Sequence, residues 1–505
     1  MDDRVCADEG PDERAVDAAM PSLDAPPAML FASGALGVLD ELRVPYAISD
    51  AARYRDGWGC LTAGAATRAL HWYERQGEHD TARAQWTVRG IPIVRGVASE
   101  RAVAQHARAL GGAWAPWPEL EVVDSDGTRR TGAWRSQDGG TILPFDPGEL
   151  LLSCRAERYR GIEADRPGSH EALARRSYYR LRRLVPRPLQ ISARRIFSRI
   201  QARSTFPRWP VETALHDVCD LVLRRAADAA GEAIPYLAAW PAGHDWALVL
   251  THDVETALGR DAIERVRAVE CRAGLRSSWN LVPERYVVDD RLVEALVMAG
   301  CEVGVHGLRH DGRDLESLRT MRRRLPEMRR WAARWGAVGF RAPATHRVWD
   351  WMPMLGFDYD SSYPDTDPFE PISGGCCWWL PFFNEDMVEL PITLPQDHTL
   401  FVILRRDEAV WREKAEVLRR RGGMALLITH PDYLIDDARL HAYERFLRAY
   451  RDDPTVWTAL PREVSDWWRR RAATSVRYTN GDWQPDGPAA SDAVVAFALP
   501  GGDRA

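Results

Sequence analysis

The sequence predicts an α/β protein whose second half is a parallel sheet closed, or nearly closed, into a distorted (β/α) barrel. A small α/β accessory domain and an arginine-rich helical connector precede it. Three observations carry this reading. Apolar runs alternate regularly with amphipathic helical stretches after residue 237. Groups able to do chemistry stand at the ends of those runs, where a barrel gathers them on one face. The length, 505 residues, exceeds what one core accommodates.

Residues 1–28 are rich in Asp, Glu, Ala and Pro without periodicity and are expected to form a disordered leader. Residues 29–147 alternate short apolar runs, at 90–94 and 141–145, with helical stretches such as 100–110, and read as the accessory domain. This segment has no P-loop, no G-x-G-x-x-G and no cluster of His or Cys, so no chemistry is assigned to it. Residues 148–236 are helical by pattern and dense in arginine, with Arg175, Arg176, Arg180, Arg182, Arg183, Arg187, Arg194, Arg195, Arg199 and Arg203. Such a face can bind phosphate, an anionic glycan or a lipid surface, although charge runs more often mark a solvated connector.

A Pro/Gly-punctuated stretch beginning at Leu237 marks entry into a catalytic domain at 237–475, with a C-terminal tail at 476–505. Strands are predicted at 246–251, 277–282, 302–306, 338–342, 387–391, 400–404 and 424–429. Helices are predicted at 262–273, 290–299, 315–335, 412–421 and 438–450.

Hydrophobic residues at 45% and charged residues at 28% suit a packed globular chain. A net charge of −6, from 67 basic and 73 acidic residues, provides no global positive field and argues against nucleic acid. Lys414 is the sole lysine. With no signal-peptide pattern and no run of transmembrane length, a soluble, cytoplasmic protein is expected. Eight cysteines without a C-x-x-C pair, Cys376-Cys377 among them, read as reduced thiols filling the core.

The chemistry is carried by four motifs. In Thr251-His252-Asp253-Val254-Glu255, alternation along extended backbone points Asp253 and Glu255 to the same side of a strand end. One carboxylate can then hold a metal while the other acts as a base; acids after a strand can also simply solvate a turn. His306-Gly307-Leu308-Arg309-His310 spaces two imidazoles to meet on one cation. Arg341-Ala342-Pro343 and His430-Pro431-Asp432 end two further strands. Each has an ordinary structural explanation by itself, and their common position on successive strands is what joins them.

In this order the motifs resemble the polysaccharide deacetylase family, the NodB-homology fold of the family 4 carbohydrate esterases and related amide hydrolases. The resemblance covers residues 237 to about 460. It implies that Asp253 is the general base, that Glu255, His306 and His310 bind metal, that Arg341 orients the base, and that His430 is the acid. The N–H of Ala344, after the R-x-P motif, is implied as an oxyanion donor. The first motif departs from the commonest family form: Val254 separates the acids, and the second acid is Glu where Asp is familiar. The family's aspartate that tunes the histidine has no assigned counterpart, with Asp358 and Asp360 as candidates.

The resemblance implies a metal-dependent hydrolase that removes an acetyl group from an N- or O-acetylated carbohydrate by attack of metal-bound water. Zinc is the default ion, with cobalt, nickel or iron compatible with the donor set. Alternatives on the same fold are a hydrolase of a small or cyclic amide and an inactive carbohydrate-binding or scaffolding protein. Trp349, Trp378 and Trp379 are candidate sugar-stacking residues, since sugar rings stack on indole faces. Lipid-linked and nucleotide-linked sugars are the partners considered, with no transmembrane segment. The accessory domain is expected to pack on the barrel and to border its strand-end face.

Overall fold

A computed structural model describes residues 27, 29–49, 57–64, 66–74, 86–94, 96–160 and 186–501. The leader expected at 1–28, apart from Pro27, and the arginines at 175–183 lie outside the described residues. So does the side chain of Arg187.

The first half is built on a nine-stranded mixed sheet. Its order is Ala47–Ile48, Phe31–Ala32, Trp58–Thr62, Leu70–Tyr73, Thr141–Leu143, Arg129–Ser136, Trp114–Asp124, Trp86–Val88 and Ile91–Ile93. Only the first pair and the Leu70–Tyr73/Thr141–Leu143 pair are parallel. The helix Glu100–Leu110 falls where its periodicity put it, capped by Ser99. The long hairpin of Trp114–Asp124 and Arg129–Ser136 was not predicted, because Pro116 and Pro118 interrupt the first strand's pattern. Helices Pro147–Arg155, Arg187–Gln201 and Ala214–Ala230 lead into the second half.

There, seven strands run parallel in the order Met387–Glu389, Tyr359–Asp360, Gly339–Phe340, Glu302–Val305, Ser278–Leu281, Trp246–Val254 and Met424–Thr429, and an eighth, Val456–Thr458, pairs in parallel with the start of Trp246–Val254. Phe382–Asn384 adds an antiparallel strand at one edge. The sheet curls until the two ends meet: the N–H groups of Thr393 and Leu394 donate to Leu426 O at 3.3 and 3.0 Å. Trp246–Val254 is buried along its whole length, as a strand packed on both faces must be, and therefore reads as an apolar run in the sequence.

Two predicted elements differ. The strand expected at 400–404 is a π-helical turn, His398–Ile403, with Leu404 N–H on Thr399 O at 2.9 Å. Its apolar run is too short for periodicity to decide. Asp397 caps its start, and Thr399 Oγ1 donates to Glu370 Oε1 at 2.9 Å, so local and tertiary hydrogen bonds both favour the helical turn. The expected tail carries structure: the hairpin Ser475–Thr479/Asp482–Asp486, then Val495–Ala498 pairing with Ile234–Leu237.

The two halves share a buried seam. Arg347 and Glu157 form a bidentate pair at 2.6 Å for both bonds, each side chain 4% exposed or less. Tyr159 OH donates to Gly375 O at 2.6 Å. His216, on Ala214–Ala230, lies flat against both Trp378 and Trp379, at ring-centroid distances of 4.1 and 3.4 Å. Within the barrel half, the sole lysine ties Ala409–Arg420 to the same loop, Lys414 Nζ lying 2.7 Å from Asp365 Oδ2.

Candidate metal centre and acid–base site

Asp253 is the last residue but one of the first barrel strand, Trp246–Val254, and is 4% exposed. Its Oδ1 accepts from Asn280 Nδ2 at 2.9 Å, from the residue opposite it on the next strand. Arg341 Nη1 adds a 3.2 Å contact to the same oxygen. That guanidinium is itself fixed on every side: Nη1 donates to Thr251 Oγ1, Nη2 to Ser361 Oγ and Nε to Ser361 O, each at 2.7 Å. Burial opposes the charge on Asp253, yet His306, Arg341, His430 and the Asn280 amide together hold its carboxyl below the usual range.

Two residues on, the Glu255 carboxylate lies 3.0 Å from His310 Nε2 and 3.8 Å from His430 Nε2. Desolvation is again outweighed, by His310 first and then His430 and His306, and Glu255 is held well below its ordinary value. The loop carrying it is tied to the last strand: Glu255 N–H and the Thr256 hydroxyl both donate to Asp432. Thr256 then caps the helix Ala257–Arg272.

His306 Nδ1 stands 3.1 Å from Arg341 O. A carbonyl can only accept, so the proton is on Nδ1 and the lone pair of Nε2 is free. That Nε2 is buried without a hydrogen-bond partner, and the Nε2 of His310 faces only the Glu255 carboxylate, at 3.0 Å. Between the two histidines the chain turns at Gly307 with φ 62°; a Cβ there would meet Asp314 Oδ2 at 2.4 Å and the Pro343 ring at 2.7 Å, so only glycine fits. Leu308 N–H donates to Asp314, whose other oxygen takes Arg324 Nη1 at 2.6 Å, and this buried pair fixes the loop that brings His310 round.

The ligand atoms of Glu255, His306 and His310 lie within 4.8 Å of one another. Donors sharing a tetrahedral ion at about 2.0–2.1 Å stand about 3.3 Å apart. One carboxylate and two imidazoles placed in this way could hold a divalent cation, and they are the three residues to which the family resemblance gave that role.

His430 follows the strand Met424–Thr429 and is 4% exposed. Its partner is Asp397, not Asp358 or Asp360: Nδ1 lies 2.6 Å from Asp397 Oδ1. Asp360 instead takes the Ser362 hydroxyl at 2.7 Å, and burial raises its carboxyl above the usual range. Asp397 and Asn280 are the partners of His430 and Asp253 that the sequence did not disclose. Asp397 lies 33 positions from His430 and beside a run misread as strand, so no spacing signals it. Asn280 is visible only once the first two barrel strands are in register.

Ala344 lies in the loop after Arg341, half-buried, in the left-handed conformation at φ 55° and ψ 31°. That costs a non-glycine residue about 1–2 kcal/mol. Trp349 packs on Phe382 and Tyr363 in the same loop region. Trp378 and Trp379 are not brought to the site. At 5% and 3% exposure they are filled by the seam, with His216 between them, Arg155 over one ring and Arg421 over the other. Their side chains go to packing, the usual fate of Trp.

No protein-family model matches the chain, and no curated protein matches it. Solved structures of polysaccharide deacetylases and related proteins match under half of the chain. A protein described as a polysaccharide deacetylase from Mycobacterium smegmatis is 20% identical, covering 48% of this chain and 97% of that one, with a TM-score of 0.41. An allantoinase is 18% identical over 46% of this chain and 92% of its own, TM-score 0.37. A family 4 carbohydrate esterase from Streptomyces lividans is 13% identical over 42% and 91%, TM-score 0.27.

Proposed function

We propose that the chain is a metal-dependent hydrolase that removes an acyl group, in the first instance acetyl, from an N-acylated carbohydrate. The observation that carries this reading is the convergence of two carboxylates with different partners, Asp253 and Glu255, on two histidines whose Nε2 atoms lack any other partner.

A divalent ion held by Glu255, His306 and His310 supplies Lewis acidity, which makes water acidic near neutral pH and polarises a carbonyl oxygen. Asp253 accepts the proton of the attacking water at Oδ2. Its Oδ1 is occupied by Asn280 and Arg341, so the carboxylate cannot turn away, and their charge and hydrogen bonds keep it ionised and ready to accept. Ala344 offers its N–H to the carbonyl oxygen as negative charge builds there. On the far side His430, held as imidazolium by Asp397, donates from Nε2 to the departing nitrogen. Base and acid are thus separate groups whose environments drive their proton affinities apart, the pattern expected of an acid–base pair.

The commitment of Trp378 and Trp379 to the seam favours keeping a second substrate in view, a small or cyclic amide on the same machinery. The deciding experiment is a hydrolysis screen with added zinc across N-acetyl sugars, chitooligosaccharides, nucleotide-linked and lipid-linked N-acetyl sugars and small cyclic amides. Released acetate from a sugar supports the first reading, and ring opening without acetate the second. No turnover of any of them by metal-loaded protein contradicts both.

A further inference from the structure

The helix Arg187–Gln201 is mounted with its apolar side outward. The side that meets the barrel is polar: Arg194 Nη2 donates to Phe369 O at 2.9 Å, Arg195 Nε and Nη2 to Val402 O at 3.0 and 2.8 Å, and Gln201 Nε2 to Glu370 O at 3.4 Å. Ser198 lies buried among them. On the other side Leu189, Ile196, Phe197 and Ile200 are 60, 64, 56 and 58% exposed. At about 100° of rotation per residue, these four fall within an arc of about 100° that lies roughly opposite Ser198. A surface helix ordinarily turns such a stripe to its own core. Here the hydrogen bonds hold the stripe away from it, and a contiguous exposed apolar patch marks a surface that meets something outside the chain.

The charge on this segment indicates what that is. No Asp or Glu occurs between residues 187 and 211, and Arg199, Arg203 and Arg208 are exposed there. We propose that the helix docks the protein on an anionic lipid bilayer. Its apolar side chains enter the boundary between headgroups and acyl chains, and its arginines meet the acidic headgroups. A second copy on the same face, related by a two-fold axis, would set the arginines that flank the stripe against their own copies. An anionic surface complements it, and a bilayer needs no shaped groove to accept the stripe. Among the described residues no helix is long and apolar enough to cross a membrane, so the docking is peripheral.

The helix lies on the turn His398–Ile403, directly after Asp397, the partner of His430. Docking therefore brings the bilayer to the element next to the His430 partner; a role in presenting a lipid-anchored substrate would rest on the hydrolase reading, and the docking does not.

The test is co-sedimentation of the full chain with phosphatidylcholine vesicles, with and without phosphatidylglycerol. Binding is expected only to the anionic vesicles. The double variant Ile196→Ser/Phe197→Ser should abolish it, while Arg199→Gln/Arg203→Gln should weaken it roughly thirtyfold, at about fivefold per arginine near the surface. Both variants should keep wild-type metal content and thermal unfolding, since neither pair of side chains packs inward. Absence of wild-type binding, or equal binding by wild type and variants, overturns the proposal. A wild-type dimer that the Ile196/Phe197 variant converts to monomer, without vesicle binding, also overturns it and assigns the face to a second copy. Because metal content is read separately, failure here leaves the hydrolase reading standing.

Discussion

Asp397 holds His430 at two points, its Oδ1 2.6 Å from the ring Nδ1 and its Oδ2 taking the backbone N–H at 2.8 Å. Burial alone would strip the imidazole of its charge. The carboxylate of Asp397, with Glu255 and Asp253 behind it, outweighs burial and lifts His430 to about 10. A group raised in this way is a charged acid below that value and loses its proton as the pH climbs through it.

Asp397→Asn should therefore move the alkaline limb of the pH–rate profile to lower pH and reduce kcat by about a hundredfold or more, with metal content retained. A profile with an unmoved alkaline limb would assign Asp397 a purely structural role.

Asp253→Asn should keep metal and fold and lose roughly a hundredfold to ten-thousandfold in turnover, because the amide retains the shape but cannot take a proton. Single-turnover hydrolysis by metal-loaded variant and wild type is the check. Wild-type rates would move the base elsewhere, most directly to Glu255.

These two residues also mark the limit of what the sequence disclosed. Asp253, Glu255, His306, His310, Arg341 and His430 were legible because their four motifs follow apolar runs, a barrel gathers strand ends, and the order of the motifs resembles a known family. Asp397 and Asn280 act through partners distant in sequence, which no local pattern encodes. The fold divides in the same way. Met424–Thr429 and Asp437–Tyr450 fall within a residue of the predicted bounds, since burial and amphipathicity determine them. The turn His398–Ile403 does not, because hydrogen bonds donated to Asp397 and Glu370 override its β-branched composition. Trp378 and Trp379 looked equally fit for sugar or core, and only the position of His216 decides between these.

His216 supplies a stability prediction. Desolvation, aided by Arg421 and Arg155, holds its folded value well below the ordinary 6.5. Its contribution is therefore complete above that value and declines as the pH falls below it, because the unfolded chain takes up a proton the folded chain refuses. His216→Phe keeps a ring between the tryptophans and removes the titration. Its unfolding free energy should fall less steeply below pH ~6.5, by up to about 1.4 kcal/mol per pH unit. Parallel pH curves for the variant and wild type would contradict this.

Residues 237–505 expressed alone should be poorly soluble. Removing the first half leaves Arg347 buried without Glu157, worth about 3–5 kcal/mol for a broken buried pair, and bares Trp378 and Trp379. A soluble, monodisperse barrel with an unchanged melting temperature would show that the seam contributes little.

Glu255, His306 and His310 are the proposed metal ligands, and metal analysis of purified protein after zinc loading and gel filtration tests them. One ion per chain is expected for wild type and less than about a tenth of that for His306→Ala and for His310→Ala, each with a near-wild-type melting curve, because the site is mounted on a barrel that folds without it. Equal metal in wild type and both variants would contradict the ligand assignment and, with it, the hydrolase.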